Sequence, residues 1–268
     1  MARVHPSAVV DPGAVLHPGV RIGPFCQVGA GVELGEGCEL LSHVVLEGPT
    51  TLGPDNVIHP FASIGGPPQD KKYRGEVTRL VIGQGNRFRE GVTINRGTVQ
   101  DEGLTAVGND NWVMAYVHIA HDCRIGNHCV LANSVNLAGH VQVGDWAVLG
   151  GYTGVHQYCR IGAHVMAGIA SVVVKDVPPF LMISGNAAKA FGLNLEGLRR
   201  RGFDKHRLQS LQRAYRTLYR EGHTLEEARE RLSAQLRELE EALDADCVAD
   251  LSATLAFIAQ SGRGIVRP

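Results

Sequence analysis

The sequence predicts a mainly β protein, a parallel β-solenoid closed by a small C-terminal α-helical domain. Three observations predict it. Aliphatic residues recur every six positions over most of the chain up to Val173. A mostly small residue follows each of them four positions later. Beyond Pro178-Pro179 both regularities give way to helix signals.

The period starts at Val4 and runs through Val10, Leu16, Ile22, Val28, Leu34, Leu40, Leu46, Leu52, Ile58 and Ile64. It returns at Ile82, Phe88 and Ile94, then shifts phase and runs from Val107 and Val113 to Ile161, Ala167 and Val173. An amphipathic helix needs apolar residues at a 3.6-residue spacing and tolerates Gly poorly, whereas this chain carries 33 Gly. Simple amphipathic strands would alternate with period two. What remains is a short strand, a tight corner and another short strand, three such units making an eighteen-residue coil. Glycines directly after the aliphatics, Gly23 and Gly144 among them, are expected to supply backbone freedom at those corners. The small-residue slot holds Cys26, Cys38, Cys123, Cys129 and Cys159. With no C-x-x-C present, buried small thiols explain these better than disulfides or a metal cluster.

Two insertions, near residues 65–79 and 99–106, interrupt the array. The first carries charge and turn residues, and Asp70 and Lys72 alternate on it, which favours a functional loop. The second reads equally well as a plain surface insertion. The solenoid is expected to fill residues 1–180, because proline removes the ladder donor. Residues 181–268 then form a linker, to about Asn194, and the helical domain. Leu198, Leu208, Leu211, Tyr215 and Leu218 make a helical stripe broken at Gly202, Thr224-Leu-Glu-Glu227 is a capping box, and residues 247–260 make a last helix. Residues 195–220 hold eight Arg/Lys against two acids, and Arg213, Arg216 and Arg220 share a helical face. That face is either solvated or a dock for something acidic.

A formal net charge of −1 argues against a general nucleic-acid binder. No apolar run approaches the ~20 residues that cross a bilayer, and the start lacks the apolar core of a signal peptide, so the cytoplasm is expected.

The chemistry points to one stretch, His118-Ile-Ala-His-Asp122 through Leu137-Ala-Gly-His140. In an eighteen-residue coil position 121 lies under 139, and strands stack roughly 4.8 Å apart. A histidine flanked by a carboxylate, with a backbone donor one strand away, suits a general base beside an oxyanion site, hence acyl transfer. The same stretch on a non-catalytic scaffold would be a binding surface.

These segments, with the loop Gln69-Asp70-Lys71-Lys72-Tyr73, Val155-His-Gln157 and the run Gly192 to Gly202, closely resemble the UDP-N-acetylglucosamine O-acyltransferases, along essentially the whole chain. The resemblance implies a left-handed parallel β-helix, whereas the usual crossover rule gives the opposite hand. It implies a homotrimer with active sites between subunits, and transfer of a 3-hydroxyacyl group from acyl carrier protein to the glucosamine 3-hydroxyl of UDP-N-acetylglucosamine, the first step of lipid A synthesis. By that likeness His121 is the general base, Asp122 its orienting partner and Gly139 the oxyanion donor. Asp70, Lys72, His118, His140, His156, Gln157, Asn194, Glu196, Arg200 and Arg201 line the cleft, and no cofactor or metal is required. The chain departs from some relatives in carrying Asn95 in place of His and Ile169 in place of Gly. Asn133, Gly151 and Ile169 fall in one eighteen-residue column, so Ile169 is expected to shorten an acyl groove in favour of medium chains. Two rivals share the solenoid. The sister N-acyltransferase usually carries a separate domain before its repeats, which here begin at Val4. The zinc carbonic anhydrase needs three converging histidines.

Overall fold

The computed structural model describes residues 1–268, a left-handed parallel β-helix followed by four helices. Three sheets of eleven, nine and eight strands form the faces of a triangular prism. Neighbouring strands in each face come from successive coils. Ile119 pairs with Leu137, Leu137 with Val155, and Val155 with Val173, so the eighteen-residue coil holds wherever no loop intervenes. The hexad aliphatics point inward, and Leu34, Leu46, Ile64, Ile119 and Leu137 are fully buried. The cysteines of the small-residue slot are buried and unpaired. Cys26, Cys38 and Cys123 aim Sγ at a carbonyl of the next coil, at 3.1, 3.1 and 3.2 Å. Burial pushes the Cys123 thiol up to about 12, which leaves it unreactive at neutral pH.

The corners work differently from the expectation drawn from their glycines. Gly23 and Gly144 lie outside the left-handed region. They are needed because a coil passes directly over them: a Cβ on Gly23 would stand 1.9 Å from the Leu41 carbonyl oxygen, and one on Gly144 2.6 Å from the Ala163 nitrogen. The left-handed residue comes two positions later and is mostly not glycine, as at Phe25 (φ 58°) and Trp146 (φ 62°). Such residues cost roughly 1–2 kcal/mol each in backbone sterics. Stacking along the corners offsets it: His43 sits 5.0 Å from Phe25 and 5.2 Å from Phe61, and His128 sits 4.2 Å from Trp146.

Parallel stacking continues past Pro178-Pro179. Leu181–Ser184 adds to Met166–Ala167 and then pairs antiparallel with Lys189–Leu193, so the expected linker is a hairpin. The helices are α1 (Leu195–Arg200), α2 (Lys205–Tyr219), α3 (Leu225–Glu241) and α4 (Ala245–Ala259). Gly202, at φ 84°, separates α1 from α2, and the Thr224–Glu227 capping box opens α3. Ser261 Oγ donates to Asp176 Oδ2 at 2.7 Å, and the Val266 amide donates to the Asp176 carbonyl, tying the C-terminal segment to the last coil. No helix is long and apolar enough to cross a membrane.

Both insertions leave the prism at one corner, where the nine-strand face turns into the eight-strand face. The stretch His118–Asp122 turns that same corner one coil later.

Candidate active site

His121 follows the inward-facing Ile119 and occupies the turn before Arg124–Ile125. Its side chain is 11% exposed, and its Nδ1 lies 2.8 Å from Asp122 Oδ2. A carboxylate can only accept, so Nδ1 carries the hydrogen and Nε2 is left as the acceptor. One coil on, Gly139 packs against the ring: a Cβ there would lie 2.8 Å from Nε2 and 2.6 Å from Cε1. The coils are locked in this register by the His140 amide, which donates to the His121 carbonyl at 3.0 Å. The Gly139 amide has no acceptor within the chain. The amides of His121 and Gln157 at the same position of the flanking coils are open as well, whereas at another corner the equivalent Asn127 amide is capped by Asp145 Oδ1 at 2.7 Å; what sets Gly139 apart is its packing against the His121 ring.

Asp122 has no exposed side-chain surface. Burial is the largest influence on its carboxyl and pushes the pKa upward. The hydrogen bonds from His121, from the Thr98 hydroxyl and from the Thr98 amide, with His140 nearby, together outweigh burial and hold it below the usual value. Thr98 Oγ1 donates to Oδ2 at 2.6 Å and the Thr98 amide to Oδ1 at 2.8 Å. The Asp122 amide donates to Thr105 Oγ1 at 2.7 Å. His140 stands edge-on to His121 at 5.2 Å and stacks on Tyr158 at 4.3 Å. Its Nδ1 lies 2.9 Å from Asp101 Oδ2 and its Nε2 3.7 Å from Asp122 Oδ2.

The second insertion is therefore no plain surface loop. It supplies Thr98 and Asp101 to the site, and its Glu102 pairs with Arg124 at 2.8 Å. Neither Thr98 nor Asp101 carries a periodic or motif signal. Their only marker is that the loop leaves the corner immediately before the histidine turn.

His118 sits on the strand leading into this corner, its Nδ1 2.7 Å from Thr93 Oγ1. Burial, then the neighbouring His121, lowers its pKa. His156 and Gln157 turn the same corner one coil beyond Gly139, whose carbonyl accepts from the Tyr158 amide. Asp70 and Lys72 lie on the first insertion, where Asp70 Oδ1 accepts the Lys72 amide at 2.9 Å and the Lys72 side chain is exposed. Nine of the expected residues thus share one corner.

The others do not. Asn194 caps α1, accepting from the Gly197 amide and donating Nδ2 to the His164 carbonyl at 3.0 Å. Arg201 lies over the Trp146 ring at 5.4 Å with a buried Nη1 that has no partner, and Glu196 pairs with Arg200 at 3.0 Å on the exposed face of α1. His164 and Trp146 mark the corner between the eight- and eleven-strand faces. Ile169, 71% exposed, sits at the third corner, in the expected column: the Ala170 amide donates to Gly151 and the Tyr152 amide to Asn133. The basic face of α2 is partly consumed. Arg207 pairs with Asp250, and Arg213 with Glu238 at 2.7 Å.

The family profile described as UDP N-acetylglucosamine O-acyltransferase, domain 2, matches residues 176–266, and the bacterial transferase hexapeptide profile matches residues 105–139. The acyl-[acyl-carrier-protein]–UDP-N-acetylglucosamine O-acyltransferase of Burkholderia orbicola is 53% identical across 100% of both chains. That of Verminephrobacter eiseniae is 58% identical across 83% of each. The crystal structure of the Moraxella catarrhalis UDP-N-acetylglucosamine O-acyltransferase superposes with a TM-score of 0.93 at 45% identity, covering 98% of this chain and 99% of that one.

Proposed function

The chain belongs to the acyl-[acyl-carrier-protein]–UDP-N-acetylglucosamine O-acyltransferase family, and from that premise we propose that it moves a 3-hydroxyacyl group from the carrier thioester to the glucosamine 3-hydroxyl through His121, Asp122 and Gly139. This is the first step of lipid A synthesis. A sugar hydroxyl is a poor nucleophile at neutral pH, so its proton must leave as it attacks. His121 Nε2 takes that proton while the oxygen bonds to the thioester carbon. The Gly139 amide donates to the oxygen that becomes negative. The intermediate collapses by breaking the carbon–sulfur bond, and the imidazolium returns its proton to the thiolate. Asp122 holds the ring and balances its transient charge. A base of this kind contributes about 10²–10⁴ in rate and one oxyanion donor about 10²–10³. The observation that carries the reading is the open Gly139 amide against the His121 ring, on adjacent coils locked by the His140–His121 hydrogen bond.

Asp70, Lys72, His118, His140, His156 and Gln157 bind substrate at this corner in the same reading. Asn194, Glu196, Arg200 and Arg201 stand one face of the prism away, and guanidinium groups suit a diphosphate. They reach the same substrate when a second copy sets its corner against this one. A closed ring with heterologous contacts, such as a homotrimer, juxtaposes unlike corners in this way. Exposed Trp112, Tyr116 and Tyr152 supply apolar surface for it. Exposed Arg199, Lys205 and Arg216 offer positive charge to an acidic carrier, and a reaction between a carrier thioester and a sugar nucleotide fits a cytoplasmic enzyme.

The rival readings fit less well. The relatives carry the O-acyltransferase name, not that of the N-acyltransferase. The corner converges two imidazoles and a carboxylate whose oxygens are already hydrogen-bonded, where the anhydrase needs three histidines. Incubating the protein with UDP-N-acetylglucosamine and a ladder of 3-hydroxyacyl carrier proteins, and weighing the products, tests the proposal. One O-acylated sugar nucleotide is expected, formed about 10²–10⁴-fold more slowly by His121→Ala. Full acyl transfer by His121→Ala refutes it.

A further inference from the structure

We propose that the inserted loop between Asn95 and Leu104 is a positioning clamp for the acyl-transfer site, with Thr98 fixing the Asp122 carboxylate behind His121 and Asp101 fixing the ring of His140. The inference rests on the acyl-transfer reading above and adds two residues to it. Two of the corner's four histidines have a carboxylate on Nδ1, Asp122 for His121 and Asp101 for His140, at 2.8 and 2.9 Å. The first carboxylate comes from the solenoid itself and the second from the loop. The loop also grips the first. Thr98 donates its hydroxyl to one oxygen of Asp122 and its amide to the other, so the carboxylate plane cannot turn about its own axis without breaking one of them. Only in that plane does Oδ2 face His121 Nδ1. The carbonyl of the same threonine accepts from the Asp101 and Gly103 amides at 3.2 and 3.0 Å. A single residue therefore ties the turn that carries Asp101 to the carboxylate that orients the base. Outside the turn, Glu102 on Arg124 and Arg96 Nη1 on the Gly48 carbonyl anchor the loop and its base to neighbouring coils.

The two contacts predict different kinetic signatures. Thr98 acts through the base, whose work is done in the transition state. Thr98→Val, which keeps the shape and the amide, should lower kcat about tenfold with KM for UDP-N-acetylglucosamine within about twofold. Thr98→Ser restores the hydroxyl and should recover kcat to within about twofold. Asp101 acts through His140, a substrate binder. Asp101→Ala should raise that KM about fivefold or more, with kcat moving less. It should also abolish the Nδ1-bound proton resonance of His140 in the imidazole region of the NMR spectrum. Melting curves of all three variants separate these effects from unfolding, and if Thr98→Val does not fold, Thr98→Ser and Asp101→Ala decide. Wild-type kcat in Thr98→Val, failure of Thr98→Ser to recover, or equal shifts of kcat and KM in Asp101→Ala overturns the clamp. A wild-type protein without acyl transfer, or a fully active His121→Ala, overturns the underlying mechanism instead, and the His140 resonance still judges the loop.

Discussion

Replacing Gly139 by alanine probes the packing of the proposed base on the proposed oxyanion donor without removing either. The alanine Cβ would stand 2.6 Å from Cε1, 2.8 Å from Nε2 and 3.2 Å from Nδ1 of His121. Non-bonded carbons settle at about 3.5–4.0 Å, so the ring must retreat by about 1 Å. The backbone gives no other reason for glycine here, since Gly139 lies outside the left-handed region, and alanine keeps the amide that would meet the oxyanion. The ring has little room to retreat. Its Nδ1 is held 2.8 Å from Asp122, whose oxygens are both fixed by Thr98, and a hydrogen bond weakens steeply beyond about 3.2 Å. Tilting away from the new methyl either stretches that bond or swings Nε2 off the sugar hydroxyl. A displacement near 1 Å from the productive geometry costs about 10²-fold, within the 10²–10⁴ that a general base contributes. We expect kcat of Gly139→Ala to fall about 10²-fold at saturating substrates, measured by product mass. The decisive comparison is the double variant His121→Ala/Gly139→Ala. Once the ring is gone the new methyl has nothing to displace, so the double variant should match His121→Ala alone. Losses that multiply, or a Gly139→Ala enzyme with wild-type kcat, refute the packing argument.

Two further predictions concern the other corners. Ile169 is exposed at the end of the column holding Asn133 and Gly151, and Ile169→Gly should shift the preferred 3-hydroxyacyl carrier toward longer chains. An unchanged preference across the carrier ladder removes Ile169 from the acyl groove. His164 stacks between Trp146 and Phe180, and burial, reinforced by Arg201 and Arg207, holds its pKa down at about 4. Its usual value is about 6.5, so as pH falls the unfolded chain takes up the proton before the folded one. The stability tied to this neutral ring is complete above about 6.5 and drains as pH falls toward 4. His164→Phe keeps the stack and removes the proton site, so its denaturation free energy should fall less steeply across that window. A slope equal to the wild type counts against the assignment.

The fold was legible because a solenoid writes its core into the sequence once per face. Ile119, Leu137 and Val155 sit eighteen residues apart and stack on one another. The corners were harder. A glycine at Gly23 or Gly144 looks the same whether it serves a left-handed turn or the passage of another chain segment, and only the position of the next coil distinguishes them. The hairpin Leu181–Leu193 was hidden by Pro178-Pro179, which read as a stop, although the Gly162 amide still donates to the Val177 carbonyl and Phe180 to Leu181 continue into a strand. The hand of the coil leaves no trace in spacing at all, and came from the resemblance.

The site divides along the same line. His121 and Gly139 were found together because no insertion separates their coils, so counting eighteen residues lands one on the other. The preceding coil runs from Ile94 to Ile119, 25 residues, so counting eighteen back from Asp122 lands on Leu104 instead of Thr98. Insertions break the arithmetic where they contribute side chains, so Thr98 and Asp101 escaped notice while the solenoid residues did not. The remaining cleft residues expose a different limit. A coil keeps its three corners apart with its own packed interior, Ile119 and Leu137 among it. In the proposed reading, Arg201 at one corner and His121 at another meet one ligand across a boundary between two copies. Residue spacing within a chain has no way to encode that meeting, and the single-chain geometry supports it indirectly, through a partnerless guanidinium nitrogen on Arg201 and an open amide on Gly139.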